Sequence, residues 1–272
     1  MLLAALLLAS AAAALPGGVG VGKMVVDPTR VAAGTTDNVL RFTFTADTAP
    51  LAGQTLVDVA PGWTRPQLQN ESGPGYVSLR NVTCGPRTRI ASLVGRRIVI
   101  ATSCPLQGQF VLTYANASAP RFASDGFTFV TQTRPAKSLR VNGRLRFRPL
   151  APRKQPTVIV AGGDPQTLDY TATTITTAGV PFSMLVRALD QYGNTAGGYS
   201  GTVTFATTDP QAVIPAPYTF VAADAGAHTF TGIIFRTPGT QSITVTDTGG
   251  RSIVAGPINV YPWQTGAGGG GS

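Results

Sequence analysis

The 272-residue chain is long enough for two domains of about 100 to 150 residues each. Its charged fraction of 12% and hydrophobic fraction of 43% exclude a disordered polyelectrolyte, while 32 Gly and 21 Pro point to many short strands joined by tight turns. The net charge is +9, yet there is one histidine, His228, and one glutamate, Glu71, so a zinc site with two histidine ligands is excluded and any histidine-dependent acid–base scheme rests on His228.

Residues 1–14, MLLAALLLASAAAA, are apolar and too short to span a bilayer, and Ala12 and Ala14 fit a signal peptidase site after Ala14. The segment predicts a signal peptide and a secreted or cell-surface product without a transmembrane span; no Lys or Arg precedes the apolar run, and a misread start or a short anchor is the alternative.

The first half of the chain alternates with period 2. Leu40, Phe42 and Phe44 share one face, and Ile98 with Ile100, then Phe110, Leu112 and Tyr114, then Phe127 and Phe129 repeat the pattern. Turn signals at Pro61-Gly62, Gly73-Pro74-Gly75, Gly85-Pro86 and Gly95 separate these predicted strands, as in an antiparallel sandwich. Cys84 and Cys104 are the only cysteines; in an exported chain they predict a disulfide, with two buried free thiols as the alternative. The triplets at Asn70, Asn81 and Asn116 are glycosylation acceptors only in a eukaryotic secretory route.

The segment 137–154, KSLRVNGRLRFRPLAPRK, is the most basic stretch, with Lys137, Arg140, Arg144, Arg146, Arg148, Arg153 and Lys154. Read as one strand, it sets Arg144, Arg146 and Arg148 along an outward face, with Leu145 and Phe147 inward. Arginine pairs well with phosphate and planar anions, so this stripe is a candidate polyanion-binding site; a solvated strand face or a charge-protected edge is the alternative. Single-stranded nucleic acid would need stacking aromatics beside the arginines, and only Phe147 lies among them, so no nucleic-acid partner is expected.

Residues 1–162 carry a balance of +12 and residues 163–272 a balance of −3. The change falls at Gly162-Gly163-Asp164-Pro165, a turn-forming run read as a domain boundary. Beyond it Phe182, Met184 and Val186 alternate, as do Val203 with Phe205 and Ile243 with Val245. A strand around Phe230 puts His228, Phe230 and Ile234 on one face and Thr229, Ile233 and Phe235 on the other.

Leu185 through Asn194 (LVRALDQYGN), Tyr199 through Phe205 (YSGTVTF), Thr208-Asp-Pro210, Ala222 through Phe230 (AADAGAHTF) and Gly239 through Asp247 (GTQSITVTD) succeed one another in order. Together, over about 172–249, they resemble the bacterial immunoglobulin-like repeats of surface adhesins and large secreted proteins. The first half looks like a more divergent sandwich of the same kind, mainly on Met24 to Phe44. The resemblance implies an extracellular module for adhesion, spacing or assembly, with other surface proteins among its partners, and it implies no catalytic residues or cofactor.

Other candidate sites each have a plainer reading. Asp190, Gly193 and Asn194 lack the alternating acids and terminal glutamate of a calcium loop and suit a tight turn. Asp209, Asp224 and Asp247 would make a metal site only by converging from separate loops. Gly198-Tyr-Ser200-Gly201 does not have the spacing of a nucleophile elbow, so His228 has no obvious serine. Trp63 at a turn and Trp263 offer stacking surfaces for sugars, or in the case of Trp63 a cover for the core.

The expected molecule is all-β, with two tandem immunoglobulin-like antiparallel β-sandwiches at 22–162 and 163–262 and a Gly-rich linker or tail at 263–272. It is expected to be a non-catalytic surface module in which Arg140, Arg144, Arg146, Arg148, Arg153 and Lys154 contact anionic surface polymers or glycans. A spacer and carbohydrate-binding accessory of a larger secreted enzyme is the alternative.

Overall fold

The computed structural model describes residues 18–136, 140–141 and 144–263, with no description of side chains over 137–145. The expected signal segment 1–14, Lys137 and the tail after Trp263 lie outside the described residues, as do the side chains of Arg140 and Arg144.

The described chain is all-β. Its first half forms β1 (Lys23–Asp27), β2 (Arg30–Ala32), β3 (Asn38–Thr45), β4 (Leu51–Asp58), β5 (Tyr76–Asn81), β6 (Arg89–Val94), β7 (Arg97–Cys104) and β8 (Gln109–Ala117). β9 (Ser124–Thr128) and β10 (Thr131–Pro135) are one run of chain broken at Phe129 and Val130. The short strands β11 (Arg140–Val141), β12 (Arg144–Leu145) and β13 (Arg148–Pro149) precede β14 (Thr157–Ala161). One sheet has the order β1-β3-β8-β5 and the other β13-β10-β4-β7-β6, while β14 pairs with β2 and β9 and so extends the second sheet past the break. Alternation decides which side chains meet between them: Leu40, Phe44, Phe110, Leu112 and Tyr114 are fully buried.

The second half repeats the plan with fewer strands. β15 (Thr167–Ala172), β17 (Pro181–Leu189) and β20 (Ala227–Ile234) form one sheet. β16 (Ile175–Thr177), β22 (Ser252–Tyr261), β21 (Gly239–Asp247), β18 (Thr202–Thr207) and β19 (Tyr218–Thr219) form the other. Among the described strands, pairing is antiparallel except at two matching places, where β2 lies parallel to β14 and β16 parallel to β22. The buried apolar side chains fall into two clusters, one between Met24 and Val160 and one between Leu168 and Val260, with Gly162 and Gly163 in the interval.

One facing pattern differs from the period-2 reading. Ile233 and Phe235, expected opposite Phe230, are fully buried with it, and Thr231 and Gly232 are exposed. Met184 pairs with Phe230 but Phe182 pairs with Ile233, so β20 carries an extra residue. Gly232, at φ +74°, supplies the left-handed turn of this bulge, and the inward face switches parity there.

The turn after β17 joins the two halves. Asp190 is 3% exposed and accepts N–H bonds from Tyr192, Asn194 and Gly163, each at 2.9 Å. Asn194 reaches into the first sandwich: its Nδ2 donates to the Arg121 carbonyl at 2.8 Å, and its Oδ1 accepts the Ala123 N–H at 2.8 Å. The Tyr192 ring lies against Gly34, where a Cβ would come within 2.5 Å of the ring, and the Arg121 guanidinium sits 5.6 Å from its centroid. The tight-turn reading of Asp190, Gly193 and Asn194 is the observed one, with a reach between domains that local spacing did not reveal.

Candidate functional site: a cationic pole

The basic segment is not one strand. β12 folds back on β11 as a hairpin, with Arg140 opposite Leu145 and Val141 opposite Arg144. Residues 146 and 147 are not in a strand, and β13 then attaches to the edge of β10, with Arg148 opposite Thr133. The expected outward row of Arg144, Arg146 and Arg148 is therefore broken. Phe147 explains part of the break: it is half-buried, with the Arg134 guanidinium 4.8 Å from its ring centroid, and Pro149 and the buried Leu150 pin the chain beyond it.

What the fold brings together is a pole. Ala136, which leads into the hairpin, donates to the Ala52 carbonyl, and Ala52 sits one residue into β4 beside Ser103. Gly20 donates to the Pro149 carbonyl just ahead of β1, whose first residue, Lys23, pairs with Thr45 at the end of β3. Lys154 lies 2.9 Å from Asp47 in the loop after β3. Both ends of the basic segment thus lie at the end of the first sandwich away from the Gly162-Gly163 junction. Arg146, Arg148 and Arg153 are exposed there and have no carboxylate within ion-pair distance among the described residues.

Lys154 has a different role from the one the sequence assigned to it. Its ammonium is held by Asp47, whose carboxylate is largely buried, so the pair neutralises itself and closes the loop against the segment. The sequence reading also omitted Arg87 and Arg89. The disulfide between Cys84 and Cys104 ties the loop that carries Arg87 and leads into β6 at Arg89 to the end of β7 at this same pole, and both arginines are exposed. Their proximity to Cys84 was the available signal. Arg96, by contrast, is a structural cation, with its guanidinium donating to the carbonyls of Val59, Ala60 and Trp63.

The remaining candidates have local partners. His228 Nδ1 is 2.8 Å from an Asp224 oxygen, and its ring stacks on Tyr218 at 4.0 Å between centroids. Tyr218 also donates to Asp224, whose pKa is lowered, first by the Val221 N–H and then by His228. No serine hydroxyl is bonded to His228 among the described residues. Asp209 accepts from the N–H groups of Arg236, Thr237 and Gln211 and from the Thr237 hydroxyl. Burial pushes its pKa up, but these donors outweigh it and hold the carboxyl at about 2. Asp247 binds Tyr199, Gly249 and Arg251, so the three aspartates are spent on three separate loops. Trp63 is 3% exposed and packs edge-on against Phe129, which removes it as a sugar platform, whereas Trp263 is 64% exposed.

No protein-family model and no curated protein matches the chain. Solved structures align with it weakly. The adhesin InvE of Yersinia pseudotuberculosis aligns at 13% identity and a TM-score of 0.28, over 88% of this chain and 60% of that one. The Escherichia coli adhesin FdeC aligns at 16% and 0.29, over 89% and 65%. A glycosyl hydrolase family 2 member from Bacteroides cellulosilyticus aligns at 10% and 0.32, over 88% and 29%. The chain spans less than two thirds of each of these proteins, and likeness at this level carries no role across from them.

Proposed function

We propose that the chain is a non-catalytic module of a secreted or cell-surface protein whose first sandwich presents a cationic pole to anionic surface polymers, with the second sandwich as a spacer. The observation that carries this reading is the gathering of Arg146, Arg148 and Arg153 at one pole, where the nearby acid, Asp47, is already taken by Lys154. Guanidinium groups left exposed in this way are available to sulfate, phosphate or carboxylate groups repeated along a polymer. A spacer role draws support from the junction, where a buried carboxylate and a bridging amide join the sandwiches.

Binding of the full chain to heparin and to neutral dextran across a salt series tests the proposal, beside a variant with Arg146, Arg148 and Arg153 changed to Ser. The expected result is heparin binding that weakens steeply with salt, no dextran binding, and in the variant a salt slope flatter by about one unit for each guanidinium–sulfate pairing removed. Parent-like binding by the variant defeats the assignment of the site. Dextran binding in preference to heparin moves the reading to the carbohydrate-binding accessory.

A further inference from the structure

The two sandwiches present the same backbone at corresponding ends. In the first, Ala33 donates to Ala161, Gly34 to Pro120 and Thr35 to Ala32, at 2.8, 2.8 and 3.4 Å. In the second, Ala178 donates to Tyr261, Gly179 to Phe235 and Val180 to Thr177, at 2.8, 2.8 and 3.0 Å. Each set comes just after a short strand parallel to the last strand of its sandwich, and each contains a glycine with positive φ, +69° at Gly34 and +84° at Gly179. An arginine succeeds the carbonyl that binds the glycine in both cases, Arg121 after Pro120 and Arg236 after Phe235.

The first of these ends is occupied. Tyr192 of the second sandwich covers Gly34, Arg121 lies over the ring, and Asn194 takes the Arg121 carbonyl. The second end is open among the described residues: none of them lies within 4 Å of the position a Gly179 Cβ would take, Arg236 is exposed, and Tyr261 and Trp263 are 56% and 64% exposed. Two exposed aromatic side chains beside an uncovered copy of an occupied seat mark an interaction surface.

The geometry points to this end as a docking seat for another sandwich of the second-domain type, joined in tandem, whose Asp-Gln-Tyr-Gly-Asn turn lays its tyrosine on Gly179 and its asparagine on the Arg236 carbonyl. One difference sets the pose. By the matched hydrogen bonds Pro262 corresponds to Gly162, where a Cβ would come within 2.0 Å of the Thr195 carbonyl. The incoming domain must therefore tilt away from residue 262. Tyr261 and Trp263, which stand where the first junction has Ala161 and Gly163, flank that position and lie beneath the incoming domain in this pose.

Tryptophan fluorescence reads this directly, because Trp63 is buried, Trp263 is exposed and the chain has no other. The test joins a second copy of residues 164–261, which contains no tryptophan, directly after Trp263 of the full chain. Acrylamide quenching of Trp263 is expected to fall toward that of a buried indole, and Tyr192→Ala in the appended copy alone is expected to restore the parent's quenching. Should the joined copy lack its own cooperative unfolding transition, a Gly-Gly spacer ahead of Asp164 gives the second variant, read in the same way. Quenching equal to the parent's beside a folded appended copy overturns the proposal, as does protection that survives the Tyr192→Ala change. Heparin binding by the opposite pole is independent of either result.

Discussion

At the residue scale, the aspartates of the second sandwich are its loop fasteners. Asp209 is 1% exposed and satisfies three backbone N–H groups and a hydroxyl, so Asp209→Ala leaves those donors unmet and is expected to destabilise the second sandwich by about 2 to 4 kcal/mol. The pH dependence has a definite sign. With a folded pKa of about 2 against 3.8 for a free carboxyl, the stabilisation is complete above 3.8 and is lost as pH falls through about 2. Urea unfolding at neutral pH and at steps down to pH 2 is expected to show this acid loss in the parent and a smaller one in Asp209→Asn. An unchanged acid profile in the variant would move the effect to another carboxylate. These partners were not legible in the sequence, since Asp209 and Thr237 lie 28 residues apart and meet only once β20 and β21 are placed.

At the element scale, period-2 alternation was enough to place the core of most strands, because burial on one face of a strand needs only that side chains alternate. Leu40, Phe42 and Phe44 are buried as read, as are Phe110, Leu112 and Tyr114. The reading failed where the backbone departs from a plain strand. At Gly232 one inserted residue reverses the facing of Ile233 and Phe235, and an isolated glycine was the available hint. In the basic segment the arginines alternate in sequence, yet Arg134 from β10 caps Phe147 and the strand breaks. The turn after β17 read correctly as a turn, but its grip on Arg121 and Ala123 joins positions more than 70 residues apart. That grip is testable by itself: Gly34→Val places a Cβ where the Tyr192 ring lies. Small-angle scattering is expected to change from the profile of one fixed arrangement to that of two sandwiches on a loose tether, and an unchanged profile would assign the stiffness to the Asp190 and Asn194 hydrogen bonds.

At the scale of the whole molecule, two buried clusters flank a Gly-Gly junction, and the Cys84–Cys104 disulfide serves only the first. Calorimetry of a Cys84→Ser, Cys104→Ser variant is expected to show the transition of the first sandwich weakened by about 3 kcal/mol, from the closure entropy of a loop of this length, with the transition of the second in place. A destabilisation shared equally by both would mean that the junction couples them into one cooperative unit. The charge division, visible in the sequence as +12 against −3, acquires a direction from the fold. Held at a fixed junction, the unlike charges give the protein a permanent electric dipole along the line from one sandwich to the other. Near a uniformly negative sheet such a body feels a torque as well as an attraction, and the torque acts at distances where no side chain has yet touched anything. It turns the arginine end inward and the open seat around Gly179 outward, so the molecule meets the sheet already standing.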